Sequence, residues 1–297
     1  MSEQRNVRIP DGMGILKQKQ DDYRLLRVKA AAGDLTAAQL SVIAAVAERY
    51  GNGVVHLSTR QGIEIHHIHK EVAEEARAVL LEAGVEPGAS GDRVRVIVAC
   101  PGNATCRWGV IETKAMAREL DRRFFGEPTP YKFKIAVSGC ANNCTRASDH
   151  DAGIRGAVEP GWLPEPCTDC RVCVRFCPVG AITRQENVAV SDLRPSVIYN
   201  VDYERCINCS ICTTQCPTKA WVPLRQGYTL FIGGTVGKKP RAGTLLRRMI
   251  QDEEEVYRLV AEALESFKRH GRKKERFGHM IDRLNQEQAM LENVKNK

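Results

Sequence analysis

The chain has no uncharged apolar run near the ~20 residues that a membrane-spanning helix requires. Its first residues, Met1 to Gly14, are polar and charged, without the apolar stretch of a secretory signal. It has no glycine-rich nucleotide loop and no flavin motif. No nucleic-acid-binding motif accompanies its basic residues. These absences predict a cytoplasmic protein with no membrane span and no nucleic-acid partner.

What is present is a globular composition: 297 residues, 43% hydrophobic and 27% charged, enough for roughly two domains. The net charge is +8, from 44 Lys and Arg against 36 Asp and Glu. A basic surface suits an acidic electron-donor protein or an anionic cofactor and substrate. Twelve cysteines dominate the pattern. In a reducing compartment clustered thiols bind metal more often than they form disulfides. Eight fall into two copies of one run, Cys167-x2-Cys170-x2-Cys173-x3-Cys177-Pro178 and Cys206-x2-Cys209-x2-Cys212-x3-Cys216-Pro217, offset by 39 residues. That spacing is the bacterial ferredoxin pattern for two [4Fe–4S] clusters, in which each fourth cysteine serves the other cluster. It assigns Cys167, Cys170, Cys173 and Cys216 to one and Cys206, Cys209, Cys212 and Cys177 to the second.

Residues 15–90 read as a small α+β unit. Strands are expected at Tyr23–Val28, Val54–Ser58 and Ile63–Ile68, with helices at Thr36–Tyr50 (buried face Leu40, Ile43, Ala44, Ala47) and Val72–Ala83. Strands at Val94–Ala99 and Lys132–Ser138 flank a helix at Glu112–Phe125 and deliver the remaining cysteines, Cys100-x5-Cys106 and Cys140-x3-Cys144. These four suffice for a third [4Fe–4S] cluster. After a cysteine-rich segment at 161–222, a strand at Tyr228–Ile232, a turn at Gly233–Gly234 and helices at Thr244–His270 and His279–Leu291 are expected. Residues 91–160 and 223–297 thus form one domain interrupted by an inserted module.

The pairing of Cys100-x5-Cys106 with Gly139-Cys140-Ala-Asn-Asn-Cys144 resembles the sirohaem and [4Fe–4S] site of the sulfite and nitrite reductase superfamily. His56-Leu-Ser-Thr-Arg60-Gln61, Tyr131-Lys-Phe-Lys134 and Gly233-Gly-Thr-Val-Gly-Lys-Lys-Pro-Arg241 add to the likeness. With the inserted ferredoxin run, the chain most resembles the catalytic subunit of anaerobic sulfite reductases and small dissimilatory-type enzymes, over residues 20–290. The resemblance implies an α+β fold: a ferredoxin-like half-domain plus a sirohaem/[4Fe–4S] domain, with a two-cluster module inserted.

It also implies roles. Cys144 would bridge the cluster and the sirohaem iron, while Arg60, Lys132 and Lys134 would line the substrate position. Fixed cations there would hold a small anion and stabilise developing charge. Two lysines at i and i+2 share one face of a strand. The plain alternative is that all three are solvent-facing. Sirohaem carries eight carboxylates, and Gln61, Arg107, Gly233, Gly234, Gly237, Lys238, Lys239 and Arg241 are candidate contacts or, equally, parts of an exposed basic loop. His56, His66, His67 and His69 crowd together, which alternation along a strand edge explains without a metal.

The expected activity is six-electron reduction of sulfite to sulfide. Nitrite reduction to ammonia is the alternative within the same chemistry, and a haem-free electron-transfer subunit the rival outside it. Larger assimilatory enzymes carry two copies of this architecture around one cofactor, and here there is one. A homo-oligomer or a complex with a related subunit is therefore expected, besides a protein electron donor such as a ferredoxin or dedicated subunits.

Overall fold

The computed structural model describes residues 12–187 and 196–295. Of the polar amino-terminal stretch, residues 1–11 lie outside that range. The first unit is built from β1 (Ile15–Lys17), β2 (Tyr23–Val28), α1 (Ala37–Tyr50), β3 (Val55–Leu57), β4 (Ile63–His69) and α2 (Ala73–Glu82). Its antiparallel sheet has the order β1-β2-β4-β3. Thr36 starts α1 with a capping box: its side chain accepts from Gln39 N, and the Gln39 side chain accepts from Thr36 N. The buried face of α1 differs from the sequence expectation. Leu40 and Ala44 are exposed, and Ile43, Val46 and Ala47 pack instead against Leu26, Ile65 and Leu80. Tyr50 joins them, so the buried set keeps helical spacing and carries more apolar volume.

The second unit begins with β5 (Val98–Ala99), α3 (Thr113–Phe124), β6 (Ile135–Ser138) and β7 (Ala152–Trp162). A cysteine-rich segment follows: α4 (Val172–Phe176), β8 (Ile182–Asn187), β9 (Ser196–Val201) and α5 (Ile211–Gln215). Then come β10 (Trp221–Ile232), β11 (Thr244–Ile250), α6 (Glu253–His270) and α7 (Phe277–Lys295). The sheet order is β11-β10-β7-β6-β5, parallel among β5, β6 and β7 and antiparallel beyond. All four residues of β6 are buried, as expected for an interior parallel strand. One core joins Ile135, Ile154 and Leu230 of the sheet to Met116 and Leu120 of α3, Val260, Leu264 and Phe267 of α6, and Phe277 of α7.

Three sequence expectations change here. Thr244–Ile250 is a strand, not the start of a helix: it pairs with β10 (Phe231 with Leu245, Tyr228 with Ile250), and α6 starts only where the Asp252 side chain accepts from Glu254 N. The expected strands Val94–Ala99 and Lys132–Ser138 enter the ladder only at Val98 and Ile135, with Val94 and Phe133 meeting at an isolated bridge. The 11-residue β7 has no counterpart among the expected elements, because Gly153, Gly156 and Gly161 break its apolar pattern.

The last ladder pair of β7 and β10 is Trp162 with Trp221, so residues 163–220 leave and rejoin the sheet at one point. The internal repeat is visible in the backbone. Left-handed residues recur 39 apart as Asp169 and Asn208, Arg171 and Ser210, and Gly180 and Lys219. The same offset repeats an N–H···S bond, Ala181 N to Cys177 Sγ and Ala220 N to Cys216 Sγ, each 3.2 Å.

Phe267 is fully buried, with its ring 6.0 Å from that of Phe133 and 5.5 Å from that of Phe277. Phe267→Ala is expected to lower stability by about 3–5 kcal/mol in denaturant titration. A loss under ~1 kcal/mol would show that α6 is not the lid of this core.

Candidate active site

Parallel strands end at one edge, and the loops leaving them there carry the first cysteine quartet. Cys100 follows β5, and Cys140 follows β6 by one residue. Gly139 N–H donates to Cys100 Sγ at 3.0 Å, tying the two loops together. The convergence requires glycine. A Cβ on Gly109 would stand 2.4 Å from the Gly102 carbonyl carbon, and one on Gly156 would stand 2.3 Å from Gly139 O. Asn143 takes the left-handed conformation that asparagine tolerates. Its Oδ1 accepts from Ala147 N at 2.8 Å and its Nδ2 donates to Ser148 Oγ at 2.9 Å, which fixes the Cys140–Cys144 loop. The Cys140 thiol is buried and its pKa pushed up, first by burial and then by Cys100, Cys106 and Cys144, so the four thiols lie within one another's field. Cys144 alone of the four is exposed.

Cys144 and Cys100 line a cavity of about 380 Å³ together with Arg60, Gln61, Lys134, Arg146, Asp149 and His150. Three sequence candidates, Arg60, Gln61 and Lys134, thus meet at the exposed thiol. Arg60 is held by two bonds, Nη2 to Val96 O and Nη1 to His150 Nε2, both 2.6 Å. Burial, and then the nearby Arg95, lower its pKa to about 10, leaving it cationic at neutral pH. Burial also lowers the Lys134 pKa to about 8, with Arg60 and Arg276 adding to the effect. Gln61 reaches across from the first unit: Nε2 donates to Ala99 O at 2.8 Å and Oε1 accepts from Ala99 N at 3.0 Å. It clamps the strand that presents Cys100.

Sequence reasoning missed the residues behind these. His150 Nδ1 lies 2.9 Å from Arg146 O, so Nδ1 donates and Nε2 is left as the acceptor for Arg60. Burial first, then Arg60, hold the imidazole pKa down to about 3, keeping it neutral. Asp151 is fully buried; its Oδ2 accepts from Lys134 N at 2.9 Å and from Arg276 Nη2 at 2.7 Å. Both residues stand just past the Cys144 loop, a placement no local pattern announces.

Other candidates lie elsewhere. Lys132 Nζ sits 5.2 Å from the Tyr131 ring centre, and Arg107 is exposed and stacks 4.9 Å from Trp108. Gly233 and Gly234 dock by N–H bonds to Asp151 O and His150 O, beneath the cavity, while Gly237, Lys238 and Lys239 are exposed. The donors of Arg241 are taken by Asp282, Gly233 O, Ala242 O and Thr244. His66 bonds Glu64, and the His56 and His66 rings lie 5.3 Å apart. In the cysteine-rich segment Cys167, Cys170, Cys173 and Cys216 line one small cavity, and Cys177, Cys206, Cys209 and Cys212 line another, the crossed grouping read from the spacing. A larger cavity, about 780 Å³, lies beside α3 and α6. Its arginines are paired, Arg123 with Glu254 and Arg122 with Glu119, and no thiol reaches it.

Residues 90–296, which contain all twelve cysteines, match the family described as nitrite and sulphite reductase 4Fe-4S domain, and residues 16–83 match the nitrite/sulfite reductase ferredoxin-like half domain. The chain belongs to the nitrite and sulphite reductase family. It is 32% identical to a coenzyme F420-dependent sulfite reductase of Methanocaldococcus jannaschii, over 81% of this chain but only 37% of that protein. It is 30% identical to one of the subunits of the anaerobic sulfite reductase of Salmonella typhimurium, over 80% of this chain and 75% of the relative. A crystal structure of dissimilatory sulfite reductase I superposes with TM-score 0.71 at 22% identity, covering 88% of this chain and 66% of that one, which shows the shared fold.

The donor set of this family member fits the groups its family implies. Among the described residues no three His, Cys, Asp or Glu side chains converge on a single ion. Cys100 and Cys144 of the quartet line the cavity, and the thiol of Cys140 lies within the field of the other three. An exposed thiol beside Arg60, Lys134 and Arg146 suits an iron-bearing polyanion. Among the described residues no helix is long and apolar enough to cross a membrane.

The buried pair Asp151–Arg276 gives a stability prediction. Asp151→Asn leaves Arg276 a buried cation without its counter-charge, and an unfolding penalty of about 3–5 kcal/mol is expected in denaturant. Unchanged stability would show that solvent already compensates Arg276.

Proposed function

We propose that this chain is a sulfite reductase, taking sulfite to sulfide by six electrons and the protons that accompany them. The observation that carries the reading is the meeting of exposed Cys144 with Arg60 and Lys134 in one cavity. Cys100, Cys106, Cys140 and Cys144 would hold a [4Fe–4S] cluster, with Cys144 shared with the iron of sirohaem. When bound, that pair would pass electrons delivered by the partner protein to the substrate. The two further quartets, in a ferredoxin module inserted at 161–222, would hold two more clusters and receive electrons from a partner protein. The remaining boundaries are proposed at 15–90 for the half-domain and at 91–160 with 223–297 for the sirohaem domain.

The chain's own part is electrostatic. Arg60 stays charged through the working pH range and, braced by Val96 O and His150, offers its guanidinium without reorganising. Lys134, with a pKa of about 8, carries a proton at neutral pH and releases it readily, as a general acid must. His150 is not the acid, because its Nε2 lone pair is committed to Arg60. Lys132 and Arg107 are proposed as outer cations, and Gln61, Gly233, Gly234, Lys238 and Arg241 as the frame around the macrocycle. The chain carries a single copy of the half-domain and of the first cysteine quartet, so a second copy or a related subunit is proposed to close the cavity.

The same cations suit nitrite, so turnover of both anions with an artificial reductant is the experiment. Protein made with ample sirohaem is expected to show sirohaem visible bands and to favour sulfite; absence of the bands would remove the reading. Lys134→Ala is expected to keep clusters and haem while lowering kcat/KM about 10- to 100-fold, the loss of one charge-assisted contact. The wild-type rate should fall as pH rises through about 8, where Lys134 loses its proton, with bound carboxylates moving that limb upward. A variant that keeps both the rate and the basic limb would contradict the role of Lys134.

A further inference from the structure

Arg155 is a half-buried cation with no carboxylate partner among the described residues. Its Nη2 donates to Ile207 O at 3.1 Å, its guanidinium lies 5.2 Å from the Phe231 ring centre, and its Nε is buried without a partner. Uncompensated charge in such a place is costly, so a counter-charge is to be expected nearby. The sulfur groups that bear electrostatically on Arg155 are those of Cys209 and Cys140, one from each of two quartets, with Arg248 acting in the opposite sense.

The backbone explains how one residue reaches both. Arg155 pairs with Ser138 across β6 and β7, two residues before Cys140. Its neighbour Gly156 presses on Gly139 O. Farther along β7, Val158 N donates to Asn208 O at 3.0 Å, and Asn208 Nδ2 donates back to Val158 O at 3.2 Å. A stretch of β7 only ~10 Å long, at about 3.3 Å per residue, therefore fastens the Cys206–Cys212 loop on one side and the Cys140 loop on the other. Of the other quartet, Cys170 is exposed.

We propose that Arg155 is a positioning residue that docks the Cys177/Cys206/Cys209/Cys212 set against the Cys100/Cys106/Cys140/Cys144 set and supplies the positive charge both share. This rests on the cluster assignments proposed above. It makes the Cys206 set the inner one and leaves the Cys167 set facing the donor. A cation beside a thiolate-ligated cluster favours its more negative, reduced form and so raises its potential. Arg248, which donates to Cys206 O at 2.9 Å, supplies the contrast, since it touches the Cys206 loop alone.

The test is an anaerobic redox titration, followed by EPR, of the full chain and of Arg155→Gln, Arg155→Lys and Arg248→Gln, each with iron and acid-labile sulfide counted. Arg155→Gln is expected to make the signals of both sets about tenfold harder to reduce, a fall of ~59 mV for a one-electron couple. Arg155→Lys should stay near wild-type potentials, and Arg248→Gln should move only the Cys206 set. Wild-type potentials in a fully loaded Arg155→Gln, or movement of one set alone, would overturn the proposal. Should Arg155→Gln fail to load, Arg155→Lys decides: wild-type potentials uphold the shared charge, and a ~59 mV fall in both signals refutes it. A wild-type chain without clusters in these sets would instead reject the assignments on which the proposal rests.

Discussion

Backbone touching backbone at the end of the parallel strands is the constraint on which the rest depends. Gly102, Gly109, Gly139 and Gly156 let three loops and a strand approach more closely than any side chain permits. Without that approach Cys100 and Cys140 could not share a site across 40 residues of sequence. The long β7 does a second job with the same residues, carrying the Cys206 loop on its far part. A single strand thus organises two thiol sets, and the antiparallel return through β10 makes the intervening segment a loop of the sheet.

Charge is the second theme. The cavity at Cys144 gathers Arg60, Lys134 and Arg146, and the region behind it adds Arg276 and Arg95. Only Asp151 is a buried carboxylate among them, and it is taken by Arg276 and the backbone of Lys134. His150, which elsewhere would titrate near neutrality, is forced to stay uncharged by its burial and its cationic neighbours. Such an excess of positive charge is unfavourable in isolation, and an anionic ligand would relieve it. The arrangement is therefore better understood as preparation for binding than as a stabilising network.

Much of this is legible in the sequence because the signals are local. Cysteine spacing groups the thiols that line the two small cavities, and Tyr23–Val28 forms the strand expected of it. Non-local pairing hides the rest. Glycines disguise β7, and β11 reads as helix because its apolar residues continue the pattern of α6. Lys132 and Lys134 share a strand face by number, yet the ladder begins only at Ile135, and Lys132 turns to the ring of Tyr131. His150 and Asp151 have no motif of their own, and their importance comes wholly from Arg60, Lys134 and Arg276, which lie up to 125 residues away.

We propose that the exposed thiol of Cys144 joins the quartet to a tetrapyrrole iron. Mössbauer spectroscopy of the iron-57-labelled holoprotein and of Cys144→Ser addresses it most directly. Magnetic coupling between the cluster and the haem iron is expected in the wild type, and its loss in the serine variant. Identical spectra from the two proteins, both carrying a full load of iron and haem, would contradict it.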